Sequence, residues 1–402
     1  MNGRTTSRRL KLSTISLAAV CCLVLLAASY FSALNAASTS GVRDGRLEVQ
    51  DFLYHLILVR EFWFGAGSSL YDLSGQTLAM AKYFGEGVNS AMPVGVSPAA
   101  LLIWYPFALI SLHSYVLAQT LWIFCGLVLF VSGIYRLVLR FPAEKIFLML
   151  FASLALFSWN GIAGVLLGQT SFLAAGILLH FAASSSASNL VWPLVWGVLL
   201  ALKPTYFLFG LAYAVAYHKR ASLLPYIAGG LLAALGASLC SSTILPEYAA
   251  QLSAYTSGSL PASYSGALHF QSNNTVRAVL GTLVGDSVVA RTDIVLLALI
   301  LAALTVAAML RPRFLAPAQY FVGVVGVVSM LIPYFGGYEE LVVAAVVAIC
   351  WTQSELVQSP KHAVLGAALL FIILSHNALP SAALALALKA AVLLSAWLAA
   401  RQ

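Results

Sequence analysis

Residues 294–310 read IVLLALILAALTVAAML, an apolar run without a charged side chain. Its length approaches the roughly 20 apolar residues that a helix needs to cross a bilayer. Comparable runs recur along the chain and are continuous, whereas the strands of a membrane barrel alternate apolar and polar residues. The pattern therefore predicts helices that satisfy their own backbone hydrogen bonds within lipid.

The composition of the whole chain indicates the same class. Hydrophobic residues make up 61% of the 402 residues, and charged residues make up 8%, against about 25% charged residues in an average soluble domain. The mean hydropathy is +0.93. A soluble protein must present polar groups to water, so this composition excludes an ordinary soluble fold. We expect an all-α, polytopic transmembrane helical bundle.

We expect one membrane domain over residues 1–402, with about 10–12 helical segments of which some are short or broken. Residues 12–34 predict the first span, and the basic residues before it favour a cytoplasmic N-terminus. Residues 35–97 predict a long outer loop, in which residues 51–64 (DFLYHLILVREFWF) form a helix at the membrane surface. The remaining spans are expected in residues 98–400.

Several stretches do not divide cleanly into spans. Pro98 and Pro106 predict a tilted or half-buried helix over residues 98–112. Residues 146–217 are interrupted by polar and glycine positions and fit either two long or four short crossings. Residues 241–275 are rich in Ser, Tyr and Asn, which predicts a solvated outer loop.

The excess of basic residues and the spacing of the cysteines argue against several other classes of protein. The formal net charge is +8, and the basic residues cluster between apolar runs, which is typical of cytoplasmic loops rather than of nucleic-acid binding. The five cysteines show no ligand spacing for a metal. We expect structural thiols and neither a metal site nor a disulfide framework.

A few polar residues within or beside apolar runs are candidates for chemistry. Asp51, at the start of the predicted surface helix, is either a functional carboxylate or one favoured by the helix dipole. Lys203, before a proline in an apolar run, either snorkels to the interface or contacts an anionic ligand. Gln169 is either a functional residue or simply a polar residue at a helix start. Glu339 is either a functional residue or an ordinary charge at the membrane interface. His269, Asn274 and Arg277 are candidate contacts in an outer cleft.

Three absences in the sequence argue against transport. No charged pair is evident in the middle of a span, as an ion-coupled carrier would need, and no internal repeat is visible. No Walker motif is present, which argues against ATP-driven transport.

The order of these motifs resembles the GT-C class of membrane glycosyltransferases, and most closely glycosyltransferase family 87, the polyprenol-phosphate-mannose-dependent family. Asp51-Phe52 is similar to the family's Asp-Phe-x-x-Tyr segment, with Tyr54 one position early. The later motifs follow in the family's order, with Glu339 where aspartate is usual; they are residues 67–72 (GSSLYD), 98–106 (PAALLIWYP), 168–171 (GQTS), 203–204 (KP), 272–277 (SNNTVR) and 338–339 (YE). The likeness extends over residues 12–350.

This resemblance implies a GT-C-like fold and an inverting transfer of mannose or another hexose from a polyprenyl-phosphate donor to a lipid or glycan acceptor. Asp51 would be the general base, and Lys203 and Arg277 would bind the donor phosphate. Contacts to the sugar or acceptor would come from Tyr54, Gln169, His269, Asn274, Tyr338 and Glu339.

The resemblance also implies a bacterial inner membrane, with the active site on the periplasmic side. No resident cofactor is expected, although Asp51 with Glu339 or Asp72 could hold a divalent ion weakly through water. A multi-pass transporter or flippase of a lipid-linked or small solute is the alternative function.

Overall fold

The computed structural model describes residues 3–43, 46–48, 51–65, 70–85, 96–184, 190–217, 220–257, 275–276, 279–280, 283, 295–296, 299–300, 303, 315–332, 339–375 and 381–400. Within this part of the chain the fold is helical, apart from one antiparallel hairpin in which β1 (Gly41–Arg43) pairs with β2 (Arg46–Glu48). The prediction of an all-α polytopic bundle is confirmed. The quoted run at 294–310 falls largely outside the described residues.

The first half of the chain forms a long helix, the hairpin and a series of shorter helices. In chain order these helices are α1 (Gly3–Thr39), α2 (Asp51–Phe64), α3 (Leu73–Phe84), α4 (Ala100–Ile103), α5 (Tyr105–Ser111), α6 (Tyr115–Arg140), α7 (Lys145–Phe157), α8 (Trp159–Leu166) and α9 (Ser171–Ala183). A single 3-10 turn, Pro142–Glu144, joins α6 to α7.

The second half continues with helices of 10 to 21 residues. They are α10 (Val191–Leu200), α11 (Pro204–Ala216), α12 (Arg220–Cys240), α13 (Ile244–Ser257), α14 (Pro317–Leu331), α15 (Glu340–Gln353), α16 (Pro360–Leu374) and α17 (Ala382–Ala399).

Few of the described helices are long enough to cross a bilayer alone. Among the described residues three segments have the length and apolar character of a span, namely Val20–Thr39, Tyr115–Arg140 and Ser222–Cys240. A fourth is reached if the pair Pro142–Phe157 and Trp159–Leu166, bent by 56°, counts as one broken span. The other apolar helices have 10–17 residues, and a 13-residue helix measures about 20 Å, less than the roughly 30 Å hydrocarbon core. The described part of the bundle therefore contains short and broken helical segments, as the sequence predicts.

Burial separates the centre of the bundle from its periphery. In α9 every residue except His180 is buried, and in α15 every residue from Glu340 to Thr352 is buried. A helix that is covered all round lies at the centre of a protein. By contrast α12 exposes a row of leucines, with Leu239 89% exposed, as expected for a helix that faces lipid.

The interrupted stretches have short helices at the predicted breaks. Residues 98–112 contain α4 and α5, which meet at Trp104, and Pro106 lies in the first turn of α5, where its missing N–H costs nothing. For residues 146–217 the structure favours short segments over two long ones, because the bent α7–α8 pair is followed by α9, α10 and α11.

Two helices were not expected from the sequence. Residues 244–257 form α13 where a solvated loop was predicted, and Glu247 lies in its first turn, where an acidic residue favours a helix. Helix α3 starts after Asp72, whose carboxylate accepts the backbone N–H groups of Ser74 and Gly75. The Ser, Gly and Tyr content of both stretches concealed these helix starts.

The predicted helix after the first span is present as α2, but its apolar side chains are not offered to lipid. Phe52, Leu53 and Tyr54 are buried, as are all four residues from 56 to 59. The helix is covered by α5, α3 and α6. It therefore belongs to the packed core, and the surface-helix expectation is corrected on this point.

Candidate active site

Asp51 is the first residue of α2 and is half-buried. The side-chain amide of Gln169 donates a hydrogen bond from Nε2 to Oδ2 of Asp51. Beside it the backbone N–H of Phe52 donates to the carbonyl of Leu167 at 3.2 Å. Two predicted site residues that lie far apart in the sequence are thus brought into direct contact.

Gly168 makes this contact sterically possible. Its φ is +64°, a left-handed conformation that glycine adopts freely. A Cβ at this position would lie 2.7 Å from the Cβ of Phe52, so a larger residue would push the turn away from α2. The Gly168 carbonyl also accepts the indole N–H of Trp122 at 2.8 Å. The Gly-Gln turn is therefore shaped to place Gln169 against Asp51.

Aromatic rings form one wall beside Asp51. Phe52 stacks on Trp122 with the ring centroids 5.1 Å apart and the planes at 5°. Trp104 meets both rings edge-on, at 5.5 Å from Phe52 and 5.6 Å from Trp122. His55 stacks on Trp104, with the ring centroids 5.4 Å apart. Such a wall excludes water and strengthens electrostatic interactions near the carboxylate.

Lys203 lies at the turn before α11 and pairs with Glu339. The Nζ–Oε1 distance is 2.5 Å, and both side chains are buried. The ammonium also lies 5.6 Å from the ring centre of Tyr206. The sequence assigned Lys203 to the donor phosphate and Glu339 to the sugar or acceptor, whereas the structure brings the two residues together as an ion pair.

The Ser97 segment is anchored to the same turn. The backbone N–H of Ser97 donates to the carbonyl of Leu202 at 2.8 Å, and its hydroxyl donates to the carbonyl of Ala201. The proline-aromatic motif and the Lys-Pro motif are therefore adjacent in space as well as ordered in sequence.

A second buried ion pair corrects the sequence analysis. Lys389, in the middle of α17, pairs with Glu340 at 2.7 Å and donates to the carbonyl of Ser329 at 3.1 Å. Both side chains are at most 1% exposed. The expectation that no charged pair lies within a span is wrong. A lone lysine in the apolar run of residues 382–394 was the signal that could have revealed it.

The adjacent glutamates connect three helices. Glu339 precedes α15 and Glu340 begins it, and each pairs with a lysine of a different helix region. A buried charge is costly without a partner. The start of α15 is therefore fixed between Lys203 at α11 and Lys389 in α17.

Tyr54 points into the protein. Its hydroxyl donates to Oε1 of Gln76 at 3.0 Å, and Gln76 donates through Nε2 to the carbonyl of Leu70 at 2.6 Å. Tyr54 is 1% exposed. It connects α2 to α3, and the predicted contact of Tyr54 with a sugar is not supported by this position.

Four other predicted contacts lie outside the described residues. They are His269, Asn274, Arg277 and Tyr338. Among the described residues no group of three or more His, Cys, Asp or Glu side chains is placed to hold a metal ion. The carboxylate of Asp72 caps α3, and its hydrogen bond from the Ser74 hydroxyl lowers the pKa of Asp72.

An apolar groove of about 440 Å³ lies next to the turn that holds Lys203, although Lys203 itself does not line it. Ala201 and Pro204 line the groove together with residues 97–99, which precede α4, and with residues of α11, α12 and α13. The groove is open to the surroundings of the bundle along α12, whose leucines are exposed. A hydrocarbon chain from the bilayer would fit its apolar lining.

Comparison with known proteins identifies the family. A family model described as glycosyltransferase family 87 matches residues 97–333, which is more than half of the chain. The match contains Gln169 and Lys203 but not Asp51 or Glu339, and it is narrower than the likeness over 12–350. No curated protein and no solved structure matches the chain. The chain is a membrane protein that belongs to glycosyltransferase family 87.

Proposed function

We propose that this protein transfers mannose or another hexose from a polyprenyl-phosphate donor to a hydroxyl group of a lipid or glycan acceptor, with Asp51 as the general base. The observation that carries this proposal is the contact between Gln169 and Asp51. It joins a residue inside the family match to a half-buried carboxylate next to the aromatic cluster of Phe52, Trp104 and Trp122. The transfer takes place at the outer face of a bacterial inner membrane.

The carboxylate of Asp51 suits a base in this reaction. Gln169 orients one carboxylate oxygen, and a carboxylate has about four acceptor positions in total, so an amide can fix it without exhausting its capacity. A positioned base contributes about 10²–10⁴-fold to a rate. Half-burial keeps Asp51 close to the protein interior while leaving it reachable by an acceptor hydroxyl.

The reaction is a single displacement at the anomeric carbon. The acceptor oxygen forms the new bond from the face opposite the lipid phosphate, and its proton goes to Asp51. The bond between the anomeric carbon and the phosphate oxygen breaks, and its electron pair leaves with polyprenyl phosphate. The configuration of the sugar is inverted, and no second carboxylate is needed because the phosphate is already a good leaving group.

The groove beside Lys203 supports a lipid-linked donor. Burial of a hydrocarbon chain is worth about 0.8 kcal/mol for each CH₂ group, and the groove lining is apolar. Lys203, paired with Glu339 in the turn next to this groove, stabilises the phosphate by its charge as the phosphate departs. Arg277 is a further predicted phosphate ligand, with His269, Asn274 and Tyr338 as predicted sugar or acceptor contacts.

The test is a transfer assay in nanodiscs. Polyprenyl phosphate carrying labelled mannose, glucose or galactose is supplied with a membrane lipid extract, and labelled product and free polyprenyl phosphate are measured. Transfer from one of these donors by the wild type, and by the exposed control Glu355→Gln, supports the proposal. A folded wild type that transfers from none of them, but turns over a nucleotide-linked sugar, contradicts it.

A further inference from the structure

His55 shares one face of α2 with Asp51. The two residues are four positions apart in a helix, so their side chains lie one above the other. Their positions differ by about 6 Å along the helix axis. A ligand of the size of a hexose ring can contact both side chains at once.

The exposure pattern of α2 singles out these two residues. Between positions 51 and 59 every residue is buried except Asp51 and His55, which are half-buried. Within this stretch of α2, only these two side chains are therefore partly accessible.

The imidazole of His55 is oriented but has no hydrogen-bond partner among the described residues. It stacks on Trp104 with the planes at 25°, and this contact fixes the plane of the ring. The surrounding protein and the charge of Lys203 lower the pKa of His55 to about 3. The ring is therefore neutral near pH 7 and carries one N–H donor and one acceptor nitrogen.

A neutral donor–acceptor pair suits a sugar hydroxyl, which can both donate and accept. A phosphate would prefer a cation. The charge of Lys203 acts on His55, and Asp51 lies one helical turn from His55 in α2. In the proposed displacement, the sugar ring occupies the space between the base and the departing phosphate.

We propose that His55 is a sugar-binding residue, which exchanges a hydrogen bond with one hydroxyl of the transferred hexose and holds the ring beside Asp51. This inference rests on the proposed function. It assigns a contact that lies outside the residues 97–333 matched by the family model.

The test combines His55 variants with deoxy donors. Wild type, His55→Phe, His55→Gln and the exposed-histidine control His113→Phe are assayed with the donor sugar that the wild type transfers. The same proteins are then assayed with its 2-, 3-, 4- and 6-deoxy forms. His55→Phe keeps a ring on Trp104 but removes both nitrogens, and His55→Gln removes the ring but keeps a donor and an acceptor.

We expect His55→Phe to lower kcat/KM about 10- to 100-fold with the parent donor, as for a lost hydrogen bond. With one deoxy donor the penalty should disappear, because the partner hydroxyl is already absent. His55→Gln should recover part of the activity, and His113→Phe should match the wild type.

The outcomes separate the inference from the proposed function. If His55→Phe lowers transfer equally with all donors, while transfer by the protein depends on Asp51, the sugar contact of His55 is overturned and the proposed function stands. A wild type that uses no polyprenyl-phosphate sugar overturns both.

Discussion

Gln169 holds the carboxylate of Asp51 across a separation of 118 residues in the sequence. The first residue lies in the turn between α8 and α9, and the second starts α2. This contact connects the family-matched part of the chain to the segment that precedes it. It is the reason to place the reacting centre at the N-terminal end of α2.

Gly168→Ala should damage this contact. The new Cβ would lie 2.7 Å from the Cβ of Phe52, and the φ of +64° would be strained, at a cost of about 1–3 kcal/mol. We expect a transfer rate at least about 10-fold lower, since small displacements of positioned groups are costly. Initial rates and melting temperatures measure the two effects.

Gly85→Ala is the matched control for this change. Gly85 also has a positive φ, +92°, but nothing lies within 4 Å of the Cβ that alanine would add. With a ψ of 170°, Gly85 lies in a region that essentially only glycine adopts, so we expect a backbone strain at least as large as at Gly168, with unchanged transfer. Equal losses of transfer in the two variants would mean that strain alone, and not the contact with α2, explains the effect.

Lys389→Met should strongly destabilise the bundle. It leaves the buried carboxylate of Glu340 without its ammonium partner, and breaking one side of a buried pair typically costs about 3–5 kcal/mol. The double variant Lys389→Met with Glu340→Leu should recover most of this loss. Thermal unfolding in detergent measures it, with the exposed Lys361→Met as a neutral control. A single variant as stable as the control would show that the pair contributes nothing.

The Lys203–Glu339 pair should behave differently, because Lys203 is proposed to act on the donor phosphate as well. Lys203→Met should lower both stability and transfer, since the buried Glu339 loses the ammonium of Lys203. Adding Glu339→Leu should restore stability but leave transfer at least about 10-fold down. Restored transfer in the folded double variant would assign the pair a purely structural role.

Asp72→Ala should cost about 0.5–2 kcal/mol, the usual value of a helix cap. The hydrogen bond from Ser74 lowers the pKa of Asp72. The contribution is therefore fully present above the unfolded pKa of about 4 and is lost as the pH falls through the lowered folded value. Asp72→Asn keeps an acceptor oxygen and should remove only the pH dependence. The free energy of unfolding of the wild type and both variants, measured from pH 7 to 3, gives the contribution of the cap. A contribution that grows at acid pH would contradict the role of the Asp72 carboxylate as the cap of α3.

The sequence predicts the class of this fold well, because apolar runs and prolines act locally. Pro106 marks the start of α5 and the continuous runs mark the membrane helices. The starts of α3 and α13 were hidden in polar stretches, where only a capping carboxylate or an acidic first turn gave a signal.

Pairing across the bundle could not be predicted in the same way. The sequence made Asp51, Gln169, Lys203 and Glu339 candidates, but it could not show that Gln169 binds Asp51 or that Glu339 neutralises Lys203. Side-chain contacts between distant segments depend on packing that no local pattern encodes. The i, i+4 spacing of Asp51 and His55 is evident in the sequence, but the position of His55 in an apolar run does not indicate a site.

The most direct test of the account is the initial rate of sugar transfer by Asp51→Asn, compared with wild type at equal amounts of folded protein in nanodiscs. Asparagine preserves the shape of the side chain but accepts no proton. We expect a rate at least about 100-fold lower, with an unchanged melting temperature. Transfer at the wild-type rate would contradict the assignment of Asp51 as the general base.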